Sequence, residues 1–202
     1  MYTFVKEKKS ISQNKFDKIA KLLLNGTVLK INDNNYRICE IEFYLRNEDH
    51  DDEYTHCNED QSQFGKWYFH KYKNGTYKSG TYKGLDLTLG TKDKYCGILI
   101  RSIYNIDDDE FITGPCKSVN KVLEEYSKKS VEDFTKNKLL SAIENKHNFV
   151  LEDSELEKEE IYVGKRVGLS DKYPEFADRN YRYLIMKDKI KKQKKDLKKL
   201  KL

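Results

Sequence analysis

One ten-residue run constrains this chain more than any other. Residues 36–45, YRICEIEFYL, alternate as a β-strand does, with successive side chains sent to opposite faces. The segment before it, TVLKI at 27–31, also alternates, and Asn32-Asp33-Asn34-Asn35 between them has turn chemistry. Together they specify a hairpin. Further strand-like pieces follow at 67–72 (WYFHKY), 85–90 (LDLTLG), 96–104 (CGILIRSIY), 161–169 (IYVGKRVGL) and 181–186 (YRYLIM). Helical spacing marks 13–24, closed by Asn25-Gly26, then 116–126, opened by Gly114-Pro115, and 130–144. The polar, acidic stretch 145–160 reads as loop. Strands outnumber helices and come as hairpins, which predicts an α+β fold, a single domain on a mainly antiparallel sheet.

Composition limits the core. With glycine counted in place of tyrosine, about 35% of the 202 residues are apolar, below the roughly 45–50% of ordinary globular chains. Leu, Ile, Val and Phe still supply about a quarter, and 15 Tyr and one Trp add aromatic bulk. A modest, aromatic-rich core is expected. No apolar run approaches the roughly 18 residues of a membrane span, and the N-terminus lacks the apolar segment of a secretory signal. The expectation is an intracellular protein, in nucleus or cytoplasm, with no membrane partner. Its excess of Lys and Asn suggests an A/T-rich coding genome, a viral one included.

The net charge of +5 is unevenly placed. Residues 187–202 hold nine Lys and two Asp, so they carry +7 and the remaining chain −2. The expected organisation is a domain over 1–186 and a Lys-rich C-terminal tail over 187–202. That tail reads either as a solvated chain end or as an arm that displaces counterions from phosphates. Cys39, Cys57, Cys96 and Cys116 form no CxxC pair, which argues against a zinc ribbon and a disulfide framework.

Three constellations could carry chemistry. Strand parity puts Glu40 and Glu42 on one face with Tyr36, Ile38 and Tyr44, where burial can tune a carboxylate into a general acid or base. Read blandly, they are strand acids paired with some of 33 Lys. The polar loop 46–66 and its surroundings bring Asp49, His50, Asp51, His56, Cys57 and His70, ligand types for zinc or iron without a familiar spacing. The stretch 66–83, KWYFHKYKNGTYKSGTYK, interleaves aromatics with Lys, a pattern suited to stacking bases while Lys78 and Lys83 reach phosphates. It reads equally as an amphipathic hairpin.

Taken in order, several segments resemble the alkyladenine (3-methyladenine) DNA glycosylase family. IAKLLLNGTVLKI is similar to its opening helix and strand, and RICEIEFYL at 37–45 to its "RIVETEAYL". LDLTLG with GILIRSI resembles "MNIS" and "VLLRAL", ITGPCKSVNKVL resembles "GPGKLCQAL", and KRVGLSDKYPEFADRNYRYLI resembles the closing "RVGV…W..(K/R)PLRFYV". The resemblance implies that family's curved antiparallel sheet flanked by helices. It implies Glu42 as the base that activates water, with Tyr44 and His56 sandwiching a flipped base. A third sandwiching aromatic would be Phe69, Tyr72 or Tyr77. Arg101 falls where the family has a phosphate-contacting Arg, and Asp86 where it has an Asn that limits which bases fit. Tyr77 or Tyr82 would replace the family's intercalating Tyr. The implied reaction is hydrolysis of the N-glycosidic bond of an extruded, alkylated or deaminated purine, without strand cleavage. The implied partner is damaged double-stranded DNA, bound by a monomer with no cofactor and no metal. The alternative is a nucleotide-binding module on the same fold with a different specificity or no catalysis.

Overall fold

The computed structural model describes residues 15–192, 194 and 196–201. Its first helix, α1 (Phe16–Asn25), buries Phe16, Ile19, Ala20, Leu23 and Leu24, the i, i+3, i+4, i+7, i+8 stripe of an amphipathic helix. Gly26 closes it by donating its N–H to the Leu22 carbonyl at 2.8 Å. Phe16 anchors the helix by stacking on Phe43, ring centroids 4.2 Å apart, with Tyr181 edge-on at 5.1 Å.

The strands are β1 (Thr27–Ile31), β2 (Asn34–Asn47), β3 (His50–Asp51), β4 (Lys66–Phe69), β5 (Leu85–Thr88), β6 (Tyr95–Asn105) and β7 (Glu110–Thr113). Further along come β8 (Leu140–Ser141), β9 (Phe149–Asp153), β10 (Tyr162–Gly164), β11 (Arg182–Leu184) and β12 (Lys198–Lys199). Among the described residues they form one sheet in the order β12-β10-β11-β2-β6-β5-β4-β8. Strands β1, β3 and β7 join its long central strands, and β9 pairs with β1. Every pairing is antiparallel. The α+β class and the single antiparallel-sheet domain are as the sequence predicts, and the sheet is open and curved.

Two more helices flank it. Helix α2 (Pro115–Glu125) starts with Pro at its first turn after Gly114, whose φ of 107° suits glycine, and it buries Ser118, Val119, Val122 and Leu123. Helix α3 (Val131–Thr135) is capped by Ser130, whose hydroxyl accepts from the Asp133 N–H. A single-turn helix, α4 (Pro174–Ala177), precedes β11.

Four sequence expectations change. The helix expected over 130–144 stops at Thr135, because Lys136 and Asn137 both take left-handed backbone, and β8 follows. The stretch 145–160 is not all loop: Phe149, Val150 and Leu151 are buried and β9 pairs with β1. Strand β2 does not keep one alternation. The ladder with β6 skips Cys39 and then Arg101, so a bulge resets the facing. Tyr36 and Ile38 therefore join Ile41, Phe43 and Leu45 in the core rather than sharing a face with the two glutamates. Finally, the described part of 187–202 is docked. Ile190 is buried, Leu200 packs on the core, and β12 pairs with β10.

Candidate active site

The face of the sheet opposite the core carries a row of residues from five strands. Arg182 on β11 stands opposite Glu42 on β2, Glu42 opposite Leu99 on β6, Leu99 opposite Asp86 on β5, and Asp86 opposite Tyr68 on β4. Partners in an antiparallel ladder share a face. Leu99 and Tyr68 are buried yet lie outside the main hydrophobic cluster, as this second face requires. Two strand spacings, about 10 Å, separate the backbones of Glu42 and Asp86.

Glu40 and Glu42 do different work. Glu40 Oε1 accepts from Arg101 Nε at 3.1 Å and from Arg182 Nε at 2.8 Å, while its Oε2 accepts from the Ser102 hydroxyl at 2.6 Å. Its carboxylate is thereby committed to a buried ionic cluster. Glu42 is fully buried. The Val167 N–H donates to its Oε1 at 2.7 Å, the Tyr44 hydroxyl donates to its Oε2 at 2.8 Å, and Arg101 Nε lies 3.4 Å from Oε1. Burial lifts the Glu42 carboxyl above the usual range, against the opposing pull of Arg101, the Val167 amide and Tyr44. Burial also works against the charge of Arg101, but Glu42 and Glu40 outweigh it and raise the guanidinium.

Tyr44 is fixed from behind. The Arg166 guanidinium lies 4.5 Å from its ring centroid and is itself held by Asp52 at 2.6 Å and by the Phe43 and Phe176 carbonyls. Both side chains of this ion pair are fully buried. The next residue, Val167, reaches Glu42, so one loop supports both the carboxylate and its tyrosine.

A second polar chain crosses β4 and β5. Asp86 is buried; its Oδ1 accepts from His70 Nε2 at 2.7 Å and its Oδ2 from Gln61 Nε2 at 3.0 Å. Glycines make the room. A Cβ at Gly97 would overlap Asp86 and Gln61, and one at Gly84 would overlap the His70 ring. His56 packs edge to face on His70, centroids 4.4 Å apart, and Lys78 Nζ lies 3.3 Å from His56 Nε2. An ammonium only donates, so His56 Nε2 is the bare nitrogen of a neutral ring. Although His56 is exposed, burial of its ring among these neighbours, then the charge on His70, push its pKa down to about 4.

Sequence-expected residues thus fall into two groups flanking the β6 segment Gly97–Leu99. Glu42, Tyr44 and Arg101 gather on one side, His56, Asp86 and Lys78 on the other. Lys83 is half-buried beside the second group, following the 3-10 turn Gly80–Tyr82. Tyr77 does not join them. Its hydroxyl accepts from Thr135 at 2.9 Å, and it lines a cavity with Trp67 and Phe69, side chains of the core face. Tyr82 is 72% exposed and Tyr72 is 43% exposed. Of the histidines of the expected metal constellation, His56 and His70 pack together, while His50 lies apart on Phe176 and Tyr181. Among the described residues no three His, Cys, Asp or Glu side chains are grouped to hold a metal.

Gln61, Arg182 and the Asp52–Arg166 pair are the residues that sequence spacing misses. Each acts through a partner 25 or more positions away, so no local pattern announces it.

No protein-family profile matches the chain. It is 44% identical over 204 aligned residues, 94% of either chain, to a viral protein. That relative is "Uncharacterized protein L759" of Acanthamoeba polyphaga mimivirus, and the chain belongs to its family.

Proposed function

We propose that this protein is a DNA base-excision glycosylase that hydrolyses the N-glycosidic bond of an extruded, alkylated or deaminated purine. The observation that carries the reading is the holding of Glu42: a buried carboxylate with raised pKa, gripped by the Val167 amide, Tyr44 and Arg101. In this reading a water beside Glu42 attacks C1′ as the base departs. The carboxylate takes the water's proton and offsets the positive charge developing on the sugar. A base so positioned contributes about 10²–10⁴-fold. Tyr44, braced by Arg166, and His56, backed by His70, would face the flipped base across Gly97 and Leu99. Lys83 would meet a phosphate, since Arg101 is buried against Glu40 and Glu42 rather than free for that contact, and the exposed Tyr82 supplies a wedge for the gap in the duplex.

A second reading has its own observation. Glu48, Asp49, Asp51, Glu53 and Glu175 line one cleft of about 380 Å³ near the end of β2, a rim that repels a duplex. A single nucleotide or nucleoside held on the sheet face need not lie along that rim as a duplex would, which favours a nucleotide-binding module without glycosylase activity. One experiment separates the two. Duplexes carrying hypoxanthine, ethenoadenine or methylated purines are incubated with the protein and with Glu42→Gln, and abasic sites are scored. The glycosylase reading expects release by the wild type and a loss of at least a hundredfold in the variant. Equal, background-level release from both sinks it.

A further inference from the structure

The hairpin between β4 and β5 presents one lysine unlike the others. Its backbone is pinned by the Lys78 N–H to the His70 carbonyl at 2.8 Å and by the Lys71–Tyr77 bridge. Tyr77 turns toward Thr135, so Lys78, the next residue, turns to the opposite side, where His56 stands. Its ammonium has an imidazole partner and, among the described residues, no carboxylate in contact, whereas Lys71, Lys121, Lys165 and Lys199 sit on acids. Behind His56 runs the chain His70–Asp86–Gln61. Burial lowers the Lys78 pKa, only partly offset by Asp86. Burial of this kind prepares a lysine amine for attack on a carbonyl.

We propose that Lys78 is an amine nucleophile for the open-chain aldehyde of an abasic deoxyribose, with the adjacent His56 as the acceptor of the C2′ proton. This rests on the glycosylase reading, because that reaction leaves an abasic sugar at Glu42 and vacates the base slot that runs from there to His56, into which the opened aldehyde turns. The ammonium of Lys78 gives one proton to solvent, its neutral amine adds to C1′, and loss of one water with uptake of one solvent proton gives the iminium. His56 takes the C2′ proton through its bare nitrogen. The electron pair forms the C2′–C3′ double bond, and the C3′–O bond breaks with its pair leaving on the phosphate. Water then hydrolyses the iminium, returning Lys78 and an unsaturated aldehyde. No oxidant or metal enters the balance. The strand is nicked after the base is lost, so the protein is not confined to base removal.

The test supplies the abasic site ready-made, from a duplex whose uracil has been removed, with sodium borohydride present to reduce the iminium. The full chain is expected to form a covalent adduct that peptide mapping places on Lys78. Lys78→Arg keeps the charge and the affinity for the duplex but lacks the nucleophile, so its adduct should fall at least tenfold while Kd stays within about threefold. Lys92→Arg, at an exposed lysine to which no role is given, should trap like the wild type. Thermal melts of both variants confirm folding. An adduct unchanged in Lys78→Arg, mapped to another amine, or absent from the wild type overturns the proposal. Base release from damaged duplexes is scored separately, so a protein that traps abasic DNA but excises nothing loses the glycosylase reading and keeps the lysine.

Discussion

Arg182 stands directly opposite Glu42 in the β2–β11 ladder, yet it gives its guanidinium to Glu40, two residues away. Its Nη2 also donates to the Lys192 carbonyl at 3.0 Å. Glu40 therefore gathers two buried cations and leaves Glu42 with the edge of one. Removing that carboxylate uncovers charge inside the protein. Glu40→Ala is expected to cost about 3–5 kcal/mol, and Glu40→Gln, which keeps one acceptor oxygen, distinctly less. Denaturant midpoints check this. A Glu40→Ala midpoint equal to the wild type would show that the cluster contributes nothing.

Glu42 should behave in the opposite way. Its folded-state pKa is raised, so the native state binds a proton more tightly than the unfolded chain does. Stability from this group is fully present below the ordinary Glu pKa of about 4.3 and is lost as pH rises through the higher folded value. Glu42→Gln removes that dependence. Its amide oxygen can still accept from Val167, and the Tyr44 hydroxyl can rotate to accept from the new NH2. The variant should match the wild type at acid pH and exceed it at pH 7, about 2–4 °C in Tm for each kcal/mol recovered at this size. A Tm gap that does not widen with pH would contradict this.

Gly97 is expected to be intolerant of even one methyl group. Its Cβ would occupy the space of the Asp86 carboxylate and the Gln61 amide, both of them buried. Gly97→Ala should break the hydrogen bond from His70 to Asp86, seen as an upfield move of the His70 Nε2 proton, and should destabilise by about 1–3 kcal/mol. An unmoved proton resonance would mean that the sheet yields instead.

Truncation after Met186 separates the two readings of the basic C-terminus. Ile190 is 1% exposed and Leu200 packs on the core, so the cut removes buried apolar surface along with charge. Burying one such side chain is worth about 1.5–3 kcal/mol, and the shortened protein should melt several degrees earlier. Its DNA affinity should also depend less steeply on salt, since up to nine Lys are lost. A Tm equal to that of the full chain would return the segment to a free arm.

Periodicity made the outline legible. The hairpin at 27–45, strand β6, and helices α1 and α2 all follow from runs of apolar residues at fixed intervals. What sequence could not reveal was whatever depends on two segments at once. The bulge at Cys39 belongs to the β2–β6 pair, so the alternation of β2 alone assigns Tyr36 and Ile38 to the wrong face. Strand β9 hides because only Phe149, Val150 and Leu151 interrupt a charged stretch, and β1 is what draws them in. Glu42 and Tyr44, two apart on one strand, meet through that strand alone. That Asp86 is claimed by His70 and Gln61 follows from the clearance above Gly84 and Gly97, which is a property of the folded sheet.

The outermost strand of the sheet has a meaning for the company the molecule keeps. β12 comprises two exposed lysines, Lys198 and Lys199, laid along β10. Any chain seeking to extend the ladder must set its own backbone beside two ammonium groups, on a template only two residues long. Sheets left with long, flat, neutral rims invite stacking into polymers. Here Lys198 and Lys199 cover that edge with charge, so the segment that looks built to attract polyanions also makes this edge a poor template for another strand.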